Sequence, residues 1–264
     1  MQWLAGDAGI RLTGFFGILL LMTLLQAAFP RRRPVQGYRR WSGNLGLVVL
    51  DAVLVRLLLP AGAVGVALWA GQAGFGLLNR LHADAWIAVV VSLLLLDLLV
   101  YVQHRVFHAV PLLWRLHRVH HADQEIDVST GLRFHPLEIL LSMLIKMAAV
   151  ALLGAPAAAM LVFEVILNGM AMFNHSNVRL PLRLDGLLRR FVVTPDMHRV
   201  HHSVLNQETN SNYGFNLSLW DRLFGSYVAQ PEKGHDGMRI GLQEFQSGRP
   251  DRLTELLLLP FGRR

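Results

Sequence analysis

The sequence predicts an all-α, polytopic membrane bundle of about four to five spans, with a cytoplasmic helical cap that carries a histidine-rich dimetal site. Three observations predict it. Hydrophobic residues make up 53% of the 264 and charged residues only 16%, with a mean hydropathy of +0.39, too apolar for an ordinary soluble domain. The apolar residues gather into runs of bilayer-spanning length. Ten of the 12 histidines fall between His104 and His202, and the chain has no cysteine. Disulfides, cysteine-zinc sites, iron–sulfur clusters and thiol nucleophiles are thereby excluded, so any metal is held by His, Asp or Glu.

Residues 10 to 29 form the first apolar run, about the ~20 residues a spanning helix needs. A cleaved leader is the rival reading, since Gln26-Ala27-Ala28 resembles a small-residue cleavage site. The N-terminus lacks a basic segment, however, and Arg31-Arg32-Arg33 follows directly, which favours a retained helix. The second run, 44 to 70, is interrupted by Asp51, Arg56 and Pro60 and should kink or break at the proline. The third runs from Trp86 to about Phe107. Runs 137 to 153 and 156 to 173 meet at Gly154-Ala155-Pro156, turn chemistry suited to a helical hairpin.

Arginine sets the orientation. Arg31, Arg32, Arg33, Arg39 and Arg40 lie between the first two runs, whereas the loop before Trp86 offers only Arg80, so the first loop is read as cytoplasmic. Every candidate histidine except His82 then faces the cytoplasm, in a bacterial inner membrane. The formal charge of +7 is thus a topology signal, and with no basic stripe interleaved with aromatics nucleic acid is excluded as a partner. Lys146 and Glu164, nine positions either side of Ala155, should share a depth and form an ion pair across the hairpin. The chain divides into N-terminal spans and loop (1–85), a catalytic region (86–230) and a cytoplasmic tail (231–264).

The third run ends with Asp97, Tyr101, His104 and His108 on one helical face. Tyr101 reads most simply as an interfacial aromatic. Two further segments, His117-Arg-Val-His120-His121 and His198-Arg-Val-His201-His202, both spell H-x2-H-H, which lets each present three imidazoles to a shared centre. Thr194 as cap and Pro195 as first residue start the second helix. His135 enters the hairpin and His175 leaves it, so both reach the same layer. Eight to ten imidazoles exceed the roughly four to six ligands of one metal and suit two, with Fe, Zn and Cu all compatible with the donor set. Glu138, Asn177, Asn212 and Asp221 are the polar candidates for orienting the imidazoles, against plainer readings of Asn212 as a turn residue and Asp221 as a helix cap. His82 and His235 read as bystanders.

These motifs, with Asn212-Tyr-Gly and Leu219-Trp-Asp-Arg-Leu-Phe-Gly225, resemble those of the fatty acid hydroxylase and sterol desaturase superfamily over about Leu94 to Tyr227. The resemblance implies two iron ions, molecular oxygen as co-substrate, and hydroxylation or desaturation of a lipid or sterol-like substrate. It implies as metal ligands and catalytic residues His104, His108, His117, His120, His121, His175, His198, His201 and His202. Some members carry another histidine where this chain has Ala171, and His135 is the candidate replacement ligand. Without a fused cytochrome b5 domain, a separate electron donor is implied, cytochrome b5-like or a ferredoxin with its reductase. A di-zinc membrane hydrolase and a metal transporter are the alternatives. Transport sites lie near mid-membrane, whereas these histidines lie at one end and in loops.

Overall fold

Apolar residues all around a long helix leave it two places to go, a large protein core or lipid. In the computed structural model, which describes residues 2–34, 39–248 and 250–262, it is the second. Five stretches are long and apolar enough to cross a membrane: Gly9–Ala28, Trp41–Arg80, Ala85–Ala109, Pro136–Leu153 and Ala157–Asn174. Their outward faces expose Phe16, Leu20, Leu24, Val49, Leu57 and Leu152, as lipid contact requires. No strand forms among the described residues; three isolated antiparallel bridges join loops.

Helix α1 (Gln2–Ala28) runs parallel to α8 (Ala157–Asn174), with Gly14 against Val165 and Gly169 against Ile18 at the contact. Arg11 of α1 reaches Glu164 at 2.6 Å. That contact corrects the expected Lys146–Glu164 pair in part: Lys146 stands within electrostatic reach of Glu164, but α1, whose neighbours the sequence did not reveal, supplies the contacting cation, and Lys146 makes no ion pair among the described residues. The second span breaks at Pro60 as expected. Helix α2 (Trp41–Leu58) stops there and α3 (Gly62–Gln72) follows, with Gly62 at φ 57°. Proline has no N–H to continue the ladder.

After the short α4 (Leu77–Arg80), α5 (Ala85–Ala109) returns toward the histidines and α6 (Pro111–His121) leaves the membrane. Helices α7 (Pro136–Leu153) and α8 form the predicted hairpin, closed by Gly154 at φ 71°, whose N–H reaches the Val150 carbonyl at 2.9 Å. Gly76, at φ 98°, sits on this turn so closely that a Cβ would come within 2.3 Å of the Gly154 nitrogen. The chain therefore crosses five times, and the C-termini of α1, α5 and α8 share one end with the N-termini of α2 and α7.

At that end lies the cap: α6, α9 (Leu182–Leu188), α10 (Pro195–His201), α11 (Asn206–Thr209), α12 (Leu219–Leu223), α13 (Gly234–Gly237) and α14 (Leu253–Leu258). Buried charge pins it to the spans. Arg40, 2% exposed, donates to Asp123 at 2.6 Å, to Thr130 at 3.2 Å and to Asp127. Arg133 donates to the carbonyls of Val119 at 2.8 Å and Pro250 at 2.9 Å. Gln26, part of the suspected cleavage site, accepts from the backbone of Val128 at 3.1 Å and Asn177 at 3.2 Å, so α1 is built into the fold.

Removing one partner of a buried ion pair strands the other. Arg40→Met is expected to destabilise the detergent-solubilised protein by about 3–5 kcal/mol; an unchanged thermal unfolding midpoint would show that Asp123 and Asp127 find other partners.

Candidate metal centre

The predicted stripe on α5 forms, and each residue on it ties membrane to cap. Asp97 accepts from Trp220 Nε1 at 2.8 Å and from the backbone N–H groups of Asn216 and Leu217 at 3.3 and 3.2 Å. Tyr101 is 1% exposed and its hydroxyl pairs with Ser226 at 2.8 Å, which corrects its reading as an interfacial aromatic: the cap folds over it. His104 and His108 follow one and two turns later. Thr194 caps α10 through the Met197 N–H at 3.3 Å, with Pro195 next, as the sequence indicates.

Nine histidines converge in two groups. His104, His108, His117, His121 and His201 form one, and His120, His175, His198 and His202 the other; within each group the candidate ligand atoms all lie within 4.8 Å of one another. The two H-x2-H-H segments do not each serve one centre. Their i, i+4 pairs, His117 with His121 and His198 with His202, face opposite groups, and each segment gives its remaining histidine, His120 or His201, to the other group. The exchange brings the groups side by side, with the His121 and His202 rings stacked at 4.6 Å.

Hydrogen bonds fix how the rings present themselves. Nδ1 donates to the carbonyls of Tyr213 from His104 (2.8 Å), Ala171 from His175 (2.7 Å) and Ser211 from His201 (2.7 Å), and to the Glu138 carboxylate from His117 (2.7 Å). The Nε2 atoms of His104, His108, His117 and His201 are buried with no protein partner. In the second group, Nε2 of His175 lies 3.0 Å from that of His120 and 2.9 Å from that of His198. Two imidazole nitrogens at right angles on one metal, each bonded at about 2.1 Å, would stand about 3.0 Å apart. Buried, unpartnered, converging lone pairs at this spacing fit metal ions.

Burial, reinforced by the neighbouring imidazoles, pushes His120, His121, His198, His201 and His202 well below the ordinary 6.5. Burial brings His175 down to about 4 against the opposing pull of its bond to Ala171. All six are therefore neutral, the form that donates a lone pair.

His135 is not brought to either group. It caps α7, accepting from the Leu137 N–H at 3.2 Å and donating from Nε2 to the Leu257 carbonyl at 3.2 Å, so both ring nitrogens are used. The position of Ala171 is filled differently: Gly131 packs there, where a Cβ would lie 2.3 Å from the Ala171 carbonyl oxygen and 3.2 Å from His175 Nδ1. Of the four polar candidates only Glu138 touches an imidazole. Asn177 instead holds the α1 exit through the Arg32 backbone, N–H at 3.1 Å and carbonyl at 2.7 Å. Asn212 bonds the carbonyls of Met197 and Val228, and Asp221 accepts from Gly214 N–H at 2.8 Å and Ser226 at 2.7 Å. These two shape the loop whose carbonyls orient His104 and His201. Asn212, at φ 47°, turns the chain so that Ser211 and Tyr213 on either side both face the histidines. The Asn-Tyr-Gly text signalled a turn; which carbonyls it aims was invisible. Phe134, stacked on His120 at 4.5 Å, and Trp114, against His108 at 4.8 Å, also escaped notice. His235 lies buried beside Asp196 and His82 is exposed, both outside the groups.

A cavity of about 480 Å³ among α1, α2, α5, α7 and α8 leads to His104, His117, His120 and His198 through a largely apolar wall that includes Phe15, Leu96, Phe107, Met143 and Phe163. Five spans, two polyhistidine groups able to hold metal and an apolar cavity leading to both define a multi-pass membrane protein with a candidate dimetal centre. The family model for fatty acid hydroxylases matches residues 89–226, more than half of the chain, and the chain belongs to that family. It is 29% identical over 232 residues to ornithine lipid hydroxylase OlsE of Rhizobium tropici, covering 82% of this chain and 68% of that one. It is 31% identical to human alkylglycerol monooxygenase over 54% of this chain and 31% of the relative. For the fatty acid hydroxylase vlmA of a Lecanicillium species the figures are 30%, 54% and 42%. The chain thus spans about two thirds of the first relative and less than half of the other two. No solved structure matches it with comparable significance.

Two outcomes are expected. Glu138→Gln, which weakens the acceptor behind His117, should lower metal affinity about 10–100-fold in a competition titration against a chelator. The second concerns pH. Because the folded value of His175, about 4, lies below 6.5, the unfolded chain gains protons first on acidification. The metal-free protein should hold its full stability above pH 6.5 and lose it as the pH falls toward 4; a thermal midpoint flat over that range would contradict neutral, buried imidazoles.

Proposed function

We propose that this protein is a membrane-bound di-iron oxygenase that hydroxylates a lipid. The observation that carries the reading is the placement of two buried imidazole groups at the end of an apolar cavity within membrane spans. One ion would be held by His104, His108, His117, His121 and His201, the other by His120, His175, His198 and His202. Two iron ions held there would supply activation of molecular oxygen. Overall, one oxygen atom enters a C–H bond and the other leaves as water, which consumes two electrons and two protons. A separate donor, cytochrome b5-like or ferredoxin-type, supplies the electrons.

The chain's own residues do the rest. The apolar wall admits an alkyl chain and excludes water, which limits loss of oxidant to solvent. Phe134, stacked on His120, fills the wall beside the second group, and Glu138 holds His117 in one tautomer. Hydroxylation is favoured over desaturation because OlsE and the alkylglycerol monooxygenases are named for oxygen insertion, one into an ornithine lipid and the other into an alkylglycerol. The arginines of the first loop, at the histidine end, support a bacterial inner-membrane protein with this site on the cytoplasmic side. Zinc fits the same ligands, which makes a di-zinc hydrolase the competing outcome of the test.

The test loads purified protein anaerobically with ferrous iron, adds reductant and isotopically labelled oxygen gas, and follows lipids from cells that do or do not express the gene. A lipid carrying one labelled oxygen atom is expected, lost together with bound iron in His120→Ala. Turnover of a lipid with zinc alone and without oxygen would overturn the reading.

A further inference from the structure

The wall of the cavity is not uniformly apolar. On the side away from the histidines it contains Arg11, Lys146, Glu164 and Asn168, from α1, α7 and α8. Glu164 is taken by Arg11 at 2.6 Å, and Asn168 Nδ2 donates to the Glu164 carbonyl at 2.9 Å. Asp51, the acid on the α2 side, also lines the cavity, with one carboxylate oxygen buried and no hydrogen bond or ion pair to Lys146 among the described residues. Lys146 is left facing the cavity with no ion pair or hydrogen bond among the described residues. An ammonium group within a membrane span is costly and is retained where a partner or ligand compensates it.

We infer that Lys146 is the anchor of a subsite for the anionic group, carboxylate or phosphate, of a lipid whose chain runs along the cavity to the histidines. The inference rests on the lipid-oxygenase reading and adds to it an orientation. Lys146 stands eight residues along α7 from Glu138, which contacts His117, so the acid group and the oxidised carbon are separated by on the order of 10 Å. Oxygen is thereby directed to a carbon remote from the acid. Arg11 lies against Glu164 at 2.6 Å, so the carboxylate nearest Lys146 is shared with a second cation and leaves Lys146 without a contact partner of its own.

The experiment measures equilibrium binding of hexadecanoate, methyl hexadecanoate and hexadecyl phosphate to the full-length chain in detergent, with and without iron. The wild-type protein is expected to bind the acid about tenfold more tightly than the ester, a margin in keeping with one charge-assisted contact. Lys146→Gln should erase that margin and Lys146→Arg should keep it, while Arg56→Gln, a change at an exposed cation outside the cavity, should leave it intact. Whichever of hexadecanoate and hexadecyl phosphate binds more tightly identifies the group. Equal binding of acid and ester by the wild type, which needs no variant, overturns the proposal, as does a margin that survives in Lys146→Gln. The metal-free measurement separates the two claims: acid-selective binding without oxygenated product in any lipid removes the oxygenase reading and leaves the subsite, and product without selectivity does the reverse.

Discussion

Nine imidazoles gathered within one small volume, eight of them buried and His108 half-buried, with lone pairs pointing at one another, are the constraint around which the molecule is built. Each ring must give up water, and a proton on any of them raises the cost for its neighbours. The solution is one-sided bonding. Four Nδ1–H groups are tied to fixed oxygens of Tyr213, Ala171, Ser211 and Glu138, which leaves the corresponding Nε2 atoms as acceptors. Three of those four oxygens belong to the backbone, so the orientation of the rings depends on how the chain is folded around them and little on side-chain identity.

Backbone carbonyls can do this only if the segments bearing them are immobile, and the apolar clusters of the cap among the described residues are small. The cap uses buried charge. Burial alone would raise the Asp196 carboxyl, but Arg199, His235 and Arg31 outweigh it and hold it below its ordinary range. Arg199 is fully buried and also donates to the Ser176 carbonyl at 3.4 Å, next to His175. Arg40 serves Asp123 and Asp127 on the opposite flank. Such pairs contribute little net stability over an apolar replacement. What they provide is position: they join α10, the α1 exit and the loop after α6 in one arrangement.

Much of this was readable in advance because it follows from periodicity. The five crossings, the break at Pro60, the Gly154 turn and the two histidine segments all come from local spacing, and the structure keeps them. What was not readable depends on which helix lies beside which. The partner of Glu164 proved to be Arg11 because α1 packs on α8, and no local pattern reports that contact. His135 looked like a ligand by position along the chain, yet α14 lies close enough to take its Nε2 through the Leu257 carbonyl. Within each H-x2-H-H segment, helical geometry put three rings on one side; that they divide between two centres required the second segment to be placed opposite the first.

The α5 helix shows why the site sits where it does. Along its stripe, Asp97 and Tyr101 hold the cap, and His104 and His108 face the first group, while neighbouring positions Leu96, Leu99, Val100 and Gln103 line the cavity. One rigid helix therefore sets the distance between cap, ligands and the space for a chain. A loop would let the imidazoles drift relative to the cavity, and productive geometry in such sites is a matter of tenths of an ångström. With the ligands on the last turns of a span, depth in the membrane and distance to the site become the same coordinate. Selectivity for a carbon along a lipid is then set by where the polar groups of the cavity wall stand on the helices around α5.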